Sequence, residues 1–417
     1  MIKLYQHQID ALDQTKDYKN VAYYFDMGLG KTFIGSEKLI SINNNINLLI
    51  CQKSKINDWI EHFNKYYNLQ VFNLTNSKEY ERFLKQKDKS VGVINYELAW
   101  RRTELLNLRD FTLMLDESSQ IKDETAKKSK FILKLRSINN ILLSGTPVSG
   151  KYEEIWSQCK LLGWDISKYL YYDQFLEIKK VDVGDYKIPI ITGYKNIDRL
   201  KRKLREYGAI FKKTDEVFEL PEQVNQIIKV ENTKEYKYFI KHSIIEFDEL
   251  NLVGDMTLTK MLYSRQLASQ YNKNKFNALK DIINSTNDRL VIFYNFNDEL
   301  KKIKELIKDK KISEINGSIK DLSNFENYED SITLIQYTAG AMGLNLQKAN
   351  KIVYFSLPLS SELMEQSKKR THRIGQDKTC FYYYLITENS IDERIYKVLE
   401  QRKDYTNKLF EEEKHEK

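Results

Sequence analysis

Cysteine is scarce in this sequence: Cys51, Cys159 and Cys380 stand far apart among 417 residues. Such spacing excludes a zinc cluster and a disulfide framework. Cys51 ends an apolar run and reads as a buried thiol. No run reaches the roughly 18 consecutive apolar residues of a membrane-spanning helix. The opening residues, Met1-Ile2-Lys3-Leu4-Tyr5-Gln6-His7-Gln8, lack the apolar centre of a secretory signal. A cytoplasmic protein without membrane attachment is therefore expected. Charge of one sign is in modest excess: 67 Lys and Arg against 59 Asp and Glu leave a formal +8. That balance is compatible with a nucleic-acid partner without establishing one.

What is present is a globular composition. Apolar residues make up 41% and charged residues 30%, which separates the chain from disordered sequences. Its length allows two or three domains with full cores. Abundant Lys, Asn, Ile and Tyr point to an AT-rich coding genome, and the compact length to a viral or bacterial source. Apolar runs recur between helical patterns at Val21–Phe25, Leu48–Cys51, Val91–Ile94, Leu113–Leu115 and Ile141–Leu143. Strands alternating with helices predict an α/β fold with a parallel sheet, and ligands on such sheets sit at the carboxyl ends of the strands.

Chemistry-bearing residues follow those ends. Phe25-Asp26-Met27-Gly28-Leu29-Gly30-Lys31-Thr32 has the strand–loop–helix context of a phosphate-binding loop. Gly28 and Gly30, flanking Leu29, let backbone N–H groups face a polyphosphate. Lys31 reaches the β- and γ-phosphates in this scheme, and Thr32 ligates Mg²⁺. Phe25 stands where the pattern G-x-x-x-x-G-K-[ST] has its first glycine. After Leu113-Met114-Leu115, Asp116 suits Mg²⁺ and Glu117 suits polarising the attacking water; the same pair also suits a helix cap. Ser144-Gly145-Thr146-Pro147 follows the next strand, either as a coupling element or as a plain turn.

The middle of the chain carries less chemistry. Tyr194–Phe211 places Ile197, Leu200 and Leu204 on one helical face among Arg199, Lys201, Arg202, Lys203 and Arg205, a pattern that suits either a DNA-backbone contact or, more simply, the solvated side of an amphipathic helix. Lys234 to Lys275 reads as a charged helical protrusion. A second α/β pattern starts at Arg289–Tyr294, followed by a helix with Leu300, Ile303, Leu306 and Ile307 on one face, then strands at Ile332–Ile335 and Ile352–Phe355. This half has no second phosphate loop, so the nucleotide is expected in a cleft between two lobes. Arg370 and Arg373 are three apart; on a helix they share a face, the arrangement of arginine fingers that stabilise phosphoryl transfer. Ser390-Ile391-Asp392-Glu393 reads as a capping box opening a last helix, with a frayed end at Glu411–Lys417.

In this order the motifs resemble those of superfamily-two helicases, and more narrowly the Swi/Snf-type DNA translocases. Gly28–Thr32, Asp116-Glu117 and Ser144–Pro147 look like motifs I, II and III. Gln8 matches the glutamine that reads adenine. Lys53 and Ser54, followed by Asn57 and Trp59, resemble motif Ia, and Asn95-Tyr96 the next DNA-facing segment. Phe211-Lys212-Lys213-Thr214-Asp215-Glu216-Val217 with Leu220-Pro221 resembles the signature at the junction of the two lobes. Asn295-Phe296 and Asn316-Gly317-Ser318 resemble second-lobe DNA-facing segments. Thr338–Leu346 resembles motif V, with Thr338 on the DNA side and Gly343 and Asn345 toward the nucleotide. Thr371-His372-Arg373-Ile374-Gly375-Gln376 resembles motif VI. Three departures stand out: Ser119 replaces the histidine of motif II, Lys212-Lys213 replaces an arginine pair, and Leu359-Ser360-Ser361 replaces Trp-Asn-Pro.

The resemblance implies two RecA-like lobes with parallel sheets around an ATP cleft: residues 1–217 with a helical insertion after motif III, a junction and helical protrusion at 218–285, and a second lobe at 286–417. It implies ATP and Mg²⁺ as cofactors, a monomer, and a motor on duplex or branched DNA. Two alternatives stay open at this point: a strand-separating helicase on single-stranded DNA or RNA, and an ATP-gated DNA clamp with little turnover.

Overall fold

The computed structural model describes residues 3–183, 186–247, 250–254, 256–340 and 344–410. The chain divides into two compact units, Met1–Val217 with Asp404–Lys417 and Phe218–Lys403. Each is built on its own seven-stranded sheet.

The strands of the first unit are, in chain order, β1 (Asn20–Phe25), β2 (Ile46–Cys51), β3 (Gln70–Asn73), β4 (Ser90–Asn95), β5 (Phe111–Asp116), β6 (Asn139–Ser144), a hairpin of β7 (Leu176–Val183) and β8 (Tyr186–Tyr194), and β9 (Ala209–Lys212). The main sheet runs β3-β4-β2-β5-β6-β1-β9, parallel throughout. Helices cover both faces of such a sheet, so its central strands bury every side chain and read as unbroken apolar runs. All six residues of β4 are buried, for instance. Three helices frame the region of interest: α1 (Gln6–Gln14), α2 (Lys31–Ile42) and α3 (Ile56–Tyr66). Trp59 and Phe63, one turn apart on α3, are both buried.

The insertion after β6 differs from the all-helical expectation. Helices Trp156–Leu161, Lys168–Phe175 and Ile197–Glu206 are present, but the antiparallel hairpin β7–β8 lies among them. Apolar residues alternate there, with Val181 opposite Ile188 and Lys179 opposite Ile190, and this period-two pattern selects strand. In the helix that follows, Leu200 and Leu204 face the core, as does the stem of Lys201.

The second unit contains β10 (Gln223–Val230), a hairpin of β11 (Ile244–Phe247) and β12 (Leu250–Val253), β13 (Leu290–Tyr294), β14 (Ile312–Ile315), β15 (Lys320–Asp321), β16 (Ile332–Gln336), β17 (Lys351–Tyr354) and β18 (Cys380–Thr387). Its order is β10-β18-β17-β13-β16-β14-β15, with only β15 antiparallel. The stretch read as a helical protrusion is again mixed: helices Lys234–His242 and Thr257–Ala268 flank β11–β12. Ser243, at φ 60°, ends the first of them in the left-handed conformation, and Ile244-Ile245 then favour extended backbone. Aromatic rings stack across the sheet from Phe293 through Tyr354 to Tyr382. A fully buried ion pair, Lys275 Nζ to Asp392 Oδ2 at 2.6 Å, ties helix Lys273–Asn284 to the start of the last helix, Ile391–Phe410. Among the described residues no helix is long and apolar enough to cross a membrane.

Candidate nucleotide site and its surroundings

Strands β5, β6 and β1 are neighbours, so the loops after Asp116, Ser144 and Phe25 meet at one edge of the first sheet. Gly28 (φ 92°) and Gly30 (φ 75°) adopt left-handed backbone that side chains disfavour. A Cβ on Gly30 would also collide with Gln8 Nε2, so the Gln8 side chain would have to shift. Gly30 is the N-cap of α2, whose N-terminal N–H groups and dipole favour an anion. Lys31 Nζ donates to the carbonyls of Phe25 (2.8 Å) and Asp26 (3.3 Å). A Cβ on Gly145 would stand 3.2 Å from the same ammonium, which places the motif III loop against it. Phe25 contributes its carbonyl to this cradle, while its ring packs edge-on against Tyr23 in the core. Phe25 is the last residue of strand β1.

Asp116 Oδ2 accepts a hydrogen bond from Trp59 Nε1 at 2.8 Å. Burial pushes the Asp116 carboxyl up, and the indole donor and the Lys31 ammonium oppose that shift. Thr32 and Asp116 supply hard oxygen ligands, which Mg²⁺ takes alongside water and phosphate oxygens. Among the described residues no cluster of three or more His, Cys, Asp or Glu side chains could hold a metal ion. Ser144 Oγ approaches Glu117 Oε2 at 3.5 Å. Asp26 reaches the other way, its Oδ2 accepting from the Thr214 N–H (3.2 Å) and hydroxyl (3.4 Å). The Lys212–Val217 signature is thereby fastened to the phosphate loop. Both ends of the Gln8 amide are engaged: Oε1 accepts from Tyr5 N–H (2.8 Å) and Nε2 donates to the Gly30 carbonyl (3.0 Å). His7 bonds the Leu29 carbonyl at 3.0 Å.

The DNA-facing candidates divide. Lys53 and Ser54 are exposed on the 3-10 turn Lys53–Lys55 that follows β2. Asn95 and Tyr96 point inward instead, at 6% and 1% exposure. The Asn95 amide donates to Glu97 (3.0 Å), and the Tyr96 hydroxyl to the carbonyls of Asp116 (2.9 Å) and Glu117 (3.2 Å). These two side chains lie in the interior, because β4 is buried on both faces up to its last residue. In the second unit Asn295, Asn316, Gly317 and Thr338 follow the adjacent strands β13, β14 and β16. Gly317 and Thr338 are exposed. Asn295 donates to Ser356 Oγ (2.8 Å) and the Leu357 carbonyl (3.0 Å), and Asn316 Oδ1 accepts from the Ser318 and Ile319 N–H groups (both 2.8 Å). Both asparagines therefore shape their loops.

Arg370 and Arg373 do not share a helical face. The helix Ser361–Lys368 stops before them, the Thr371 hydroxyl bonds the Lys368 carbonyl, and Gly375 turns the chain at φ 94°. Arg370 is buried at 4% exposure, whereas Arg373 is half-buried and donates to Asn345 Oδ1. Gly343 and the end segment Glu411–Lys417 lie outside the described residues. His372 bonds the Pro221 carbonyl (2.7 Å) and Gln223 Nε2 (3.1 Å), linking motif VI to the start of β10. Trp59, Asp26, Thr214 and His372 are contacts that motif positions alone did not assign. An indole two residues past Asn57 was the one visible signal, for Trp59.

Comparison with known proteins gives two family matches: the SNF2-related domain over residues 20–310 and the helicase conserved C-terminal domain over residues 274–375. An uncharacterized ATP-dependent helicase of Mycoplasma pneumoniae is 24% identical across 93% of this chain and 40% of its own length. The ISWI chromatin-remodeling complex ATPase ISW1 of Saccharomyces cerevisiae is 25% identical across 89% of this chain and 37% of its own. A Sulfolobus solfataricus SWI2/SNF2 ATPase core, solved in complex with dsDNA, aligns with a TM-score of 0.46 and 20% identity over 97% of this chain and 92% of that chain. The chain spans about two fifths of the length of the curated relatives it matches.

Proposed function

We propose, for a chain that belongs to the SNF2-related domain family, an ATP-driven motor that moves along duplex or branched DNA. The observation that carries this reading is the wiring of the first unit. The Asp116 carboxylate is bonded by Trp59 of α3, the helix that follows the exposed Lys53–Lys55 turn. A change at that turn therefore has a direct path to the group that holds the metal.

In the proposed mechanism the N-terminus of α2 receives the phosphates and Lys31 leaves the Phe25 and Asp26 carbonyls for the β- and γ-phosphate oxygens. Thr32 and Asp116 would hold Mg²⁺, which when bound would neutralise phosphate charge. Glu117 orients and polarises the attacking water. Gln8 exchanges its loop contacts for adenine, and Asn345 contributes its amide to nucleotide binding. Arg370 and Arg373 contribute positive charge as phosphate charge shifts in the transition state. Lys53, Ser54, Gly317 and Thr338 contact phosphates without reading bases. Asn295 and Asn316 hold the loops from which such contacts are made. The names of relatives, which include a chromatin-remodeling ATPase and a DNA repair and recombination protein, favour DNA as the track. We take the motor to act as a monomer.

Steady-state ATP hydrolysis tests the reading with duplex, branched and single-stranded DNA, RNA, and no nucleic acid. Duplex or branched DNA is expected to stimulate turnover, and Lys31→Ala and Arg373→Ala each to abolish the stimulated rate. Stimulation by single strands or RNA alone would replace the translocase with an unwinding helicase. Nucleotide binding without turnover on any of them would leave an ATP-gated clamp.

A further inference from the structure

Glu117 adopts the left-handed conformation, φ 58° and ψ 61°. Residues with side chains keep such backbone only where their surroundings fix it, and these positions gather at functional sites. Two buried side chains do the fixing here. From the end of β4, the Tyr96 hydroxyl donates to both carbonyls that bracket the strained residue, Asp116 at 2.9 Å and Glu117 at 3.2 Å. From helix Trp156–Leu161, the fully buried amide of Gln158 takes the other side. Its Oε1 accepts from the Ser118 hydroxyl (2.7 Å) and the Tyr24 hydroxyl (3.0 Å), and its Nε2 donates to the Pro147 carbonyl (2.9 Å). A single amide thus joins strand β1 beneath the phosphate loop, the turn after Glu117 and the motif III loop. Its two acceptor positions are both filled, which fixes the amide's orientation.

We propose that Tyr96 and Gln158 are positioning residues that hold the Glu117–Ser118 turn in its left-handed form and so aim the Glu117 carboxylate at the attacking water. Neither touches nucleotide. The proposal rests on the reading of Glu117 as the water-polarising group. It also gives the motif II loop its link to motif III, through Ser118 and Gln158, in a chain that has Ser119 in place of a histidine.

Tyr96→Phe removes one oxygen and keeps the ring. Ser118→Ala cuts the turn from Gln158, and Gln158→Leu removes the amide at similar volume. Misplacing a catalytic group by about 1 Å costs on the order of 100-fold in rate. Each variant should therefore lower kcat for ATP about 10- to 100-fold, with KM and the dissociation constant of a fluorescent ATP analogue staying within about twofold. Because both braces hold one turn, Tyr96→Phe combined with Ser118→Ala should lose less than the product of the two single effects. If Gln158→Leu does not fold, the other two variants decide. The proposal fails if Tyr96→Phe and Ser118→Ala keep kcat within about twofold of the parent, or if their losses appear in KM alone. Absence of ATP turnover in the parent protein, or its persistence in Lys31→Ala, would overturn the ATPase reading itself.

Discussion

Acidification should weaken the first unit through one histidine. His62 lies on α3 among the rings of Phe33, Trp59 and Tyr66, and its Nε2 bonds the Ser36 hydroxyl at 3.0 Å. Ser36 in turn donates to the Thr32 carbonyl at 2.9 Å, which fills the first turn of α2. Burial pushes the His62 imidazole down to about 4 from an ordinary 6.5. The fold therefore prefers the neutral ring, whereas the unfolded chain takes up a proton as soon as the pH drops below 6.5. Stability from this residue is complete above 6.5 and is lost progressively as the pH falls toward 4. The full interval corresponds to about 3 kcal/mol, and about 2 kcal/mol of it is gone by pH 5. All four tryptophans, Trp59, Trp100, Trp156 and Trp164, belong to the first unit, so their fluorescence in urea reports this unit alone. His62→Phe keeps the aromatic packing and removes the titration. Between pH 7 and pH 5 the parent should lose about 2 kcal/mol more than His62→Phe; carboxylates titrate alike in both and cancel. Parallel losses in the two proteins would refute the argument.

Two further substitutions test the cores. Lys275→Met leaves the Asp392 carboxylate buried without its cation, and the second unit should lose about 3–5 kcal/mol in a thermal melt followed by circular dichroism. Adding Asp392→Leu should restore most of that loss, and a cost below about 1 kcal/mol for Lys275→Met would contradict the burial of the pair. Gly35→Ala gains helix propensity, but its Cβ would meet Leu143 Cδ1 at 2.7 Å and Met114 Sδ at 3.2 Å. Overpacking should win, with a net loss of about 1–2 kcal/mol in urea; a stabilised variant would show that these side chains yield.

Much of the architecture was legible because a parallel sheet covered on both faces writes its strands as contiguous apolar runs. Val21–Phe25, Leu48–Cys51, Val91–Ile94, Leu113–Leu115 and Ile141–Leu143 all lie within strands of the first sheet. Elements with exposed or amphipathic faces were harder. The hairpins β7–β8 and β11–β12 sit within charged stretches whose helical neighbours dominate any longer window, so their short alternation was submerged. Arg370 and Arg373 show the same limit: their spacing suits a helix, but the helix Ser361–Lys368 stops before them.

The sequence by itself determined the motifs on which the proposed phosphate chemistry rests. Gly28, Gly30, Lys31 and Thr32 must be contiguous to wrap one anion, and Asp116-Glu117 must follow a strand directly to reach it, so these groups appear as uninterrupted motifs. Only the tertiary structure decided how those groups are held. Trp59 reaches Asp116 across 57 positions, Gln158 reaches Ser118 across 40, and Thr214 reaches Asp26 across 188. Tyr96, beside a motif, bonds the Asp116 and Glu117 carbonyls. Such contacts depend on which strand ends become neighbours and which faces are covered. A lone tryptophan, glutamine or tyrosine carries no periodicity that announces its partner, and its role appears once the sheet order β5-β6-β1 brings distant segments to one edge.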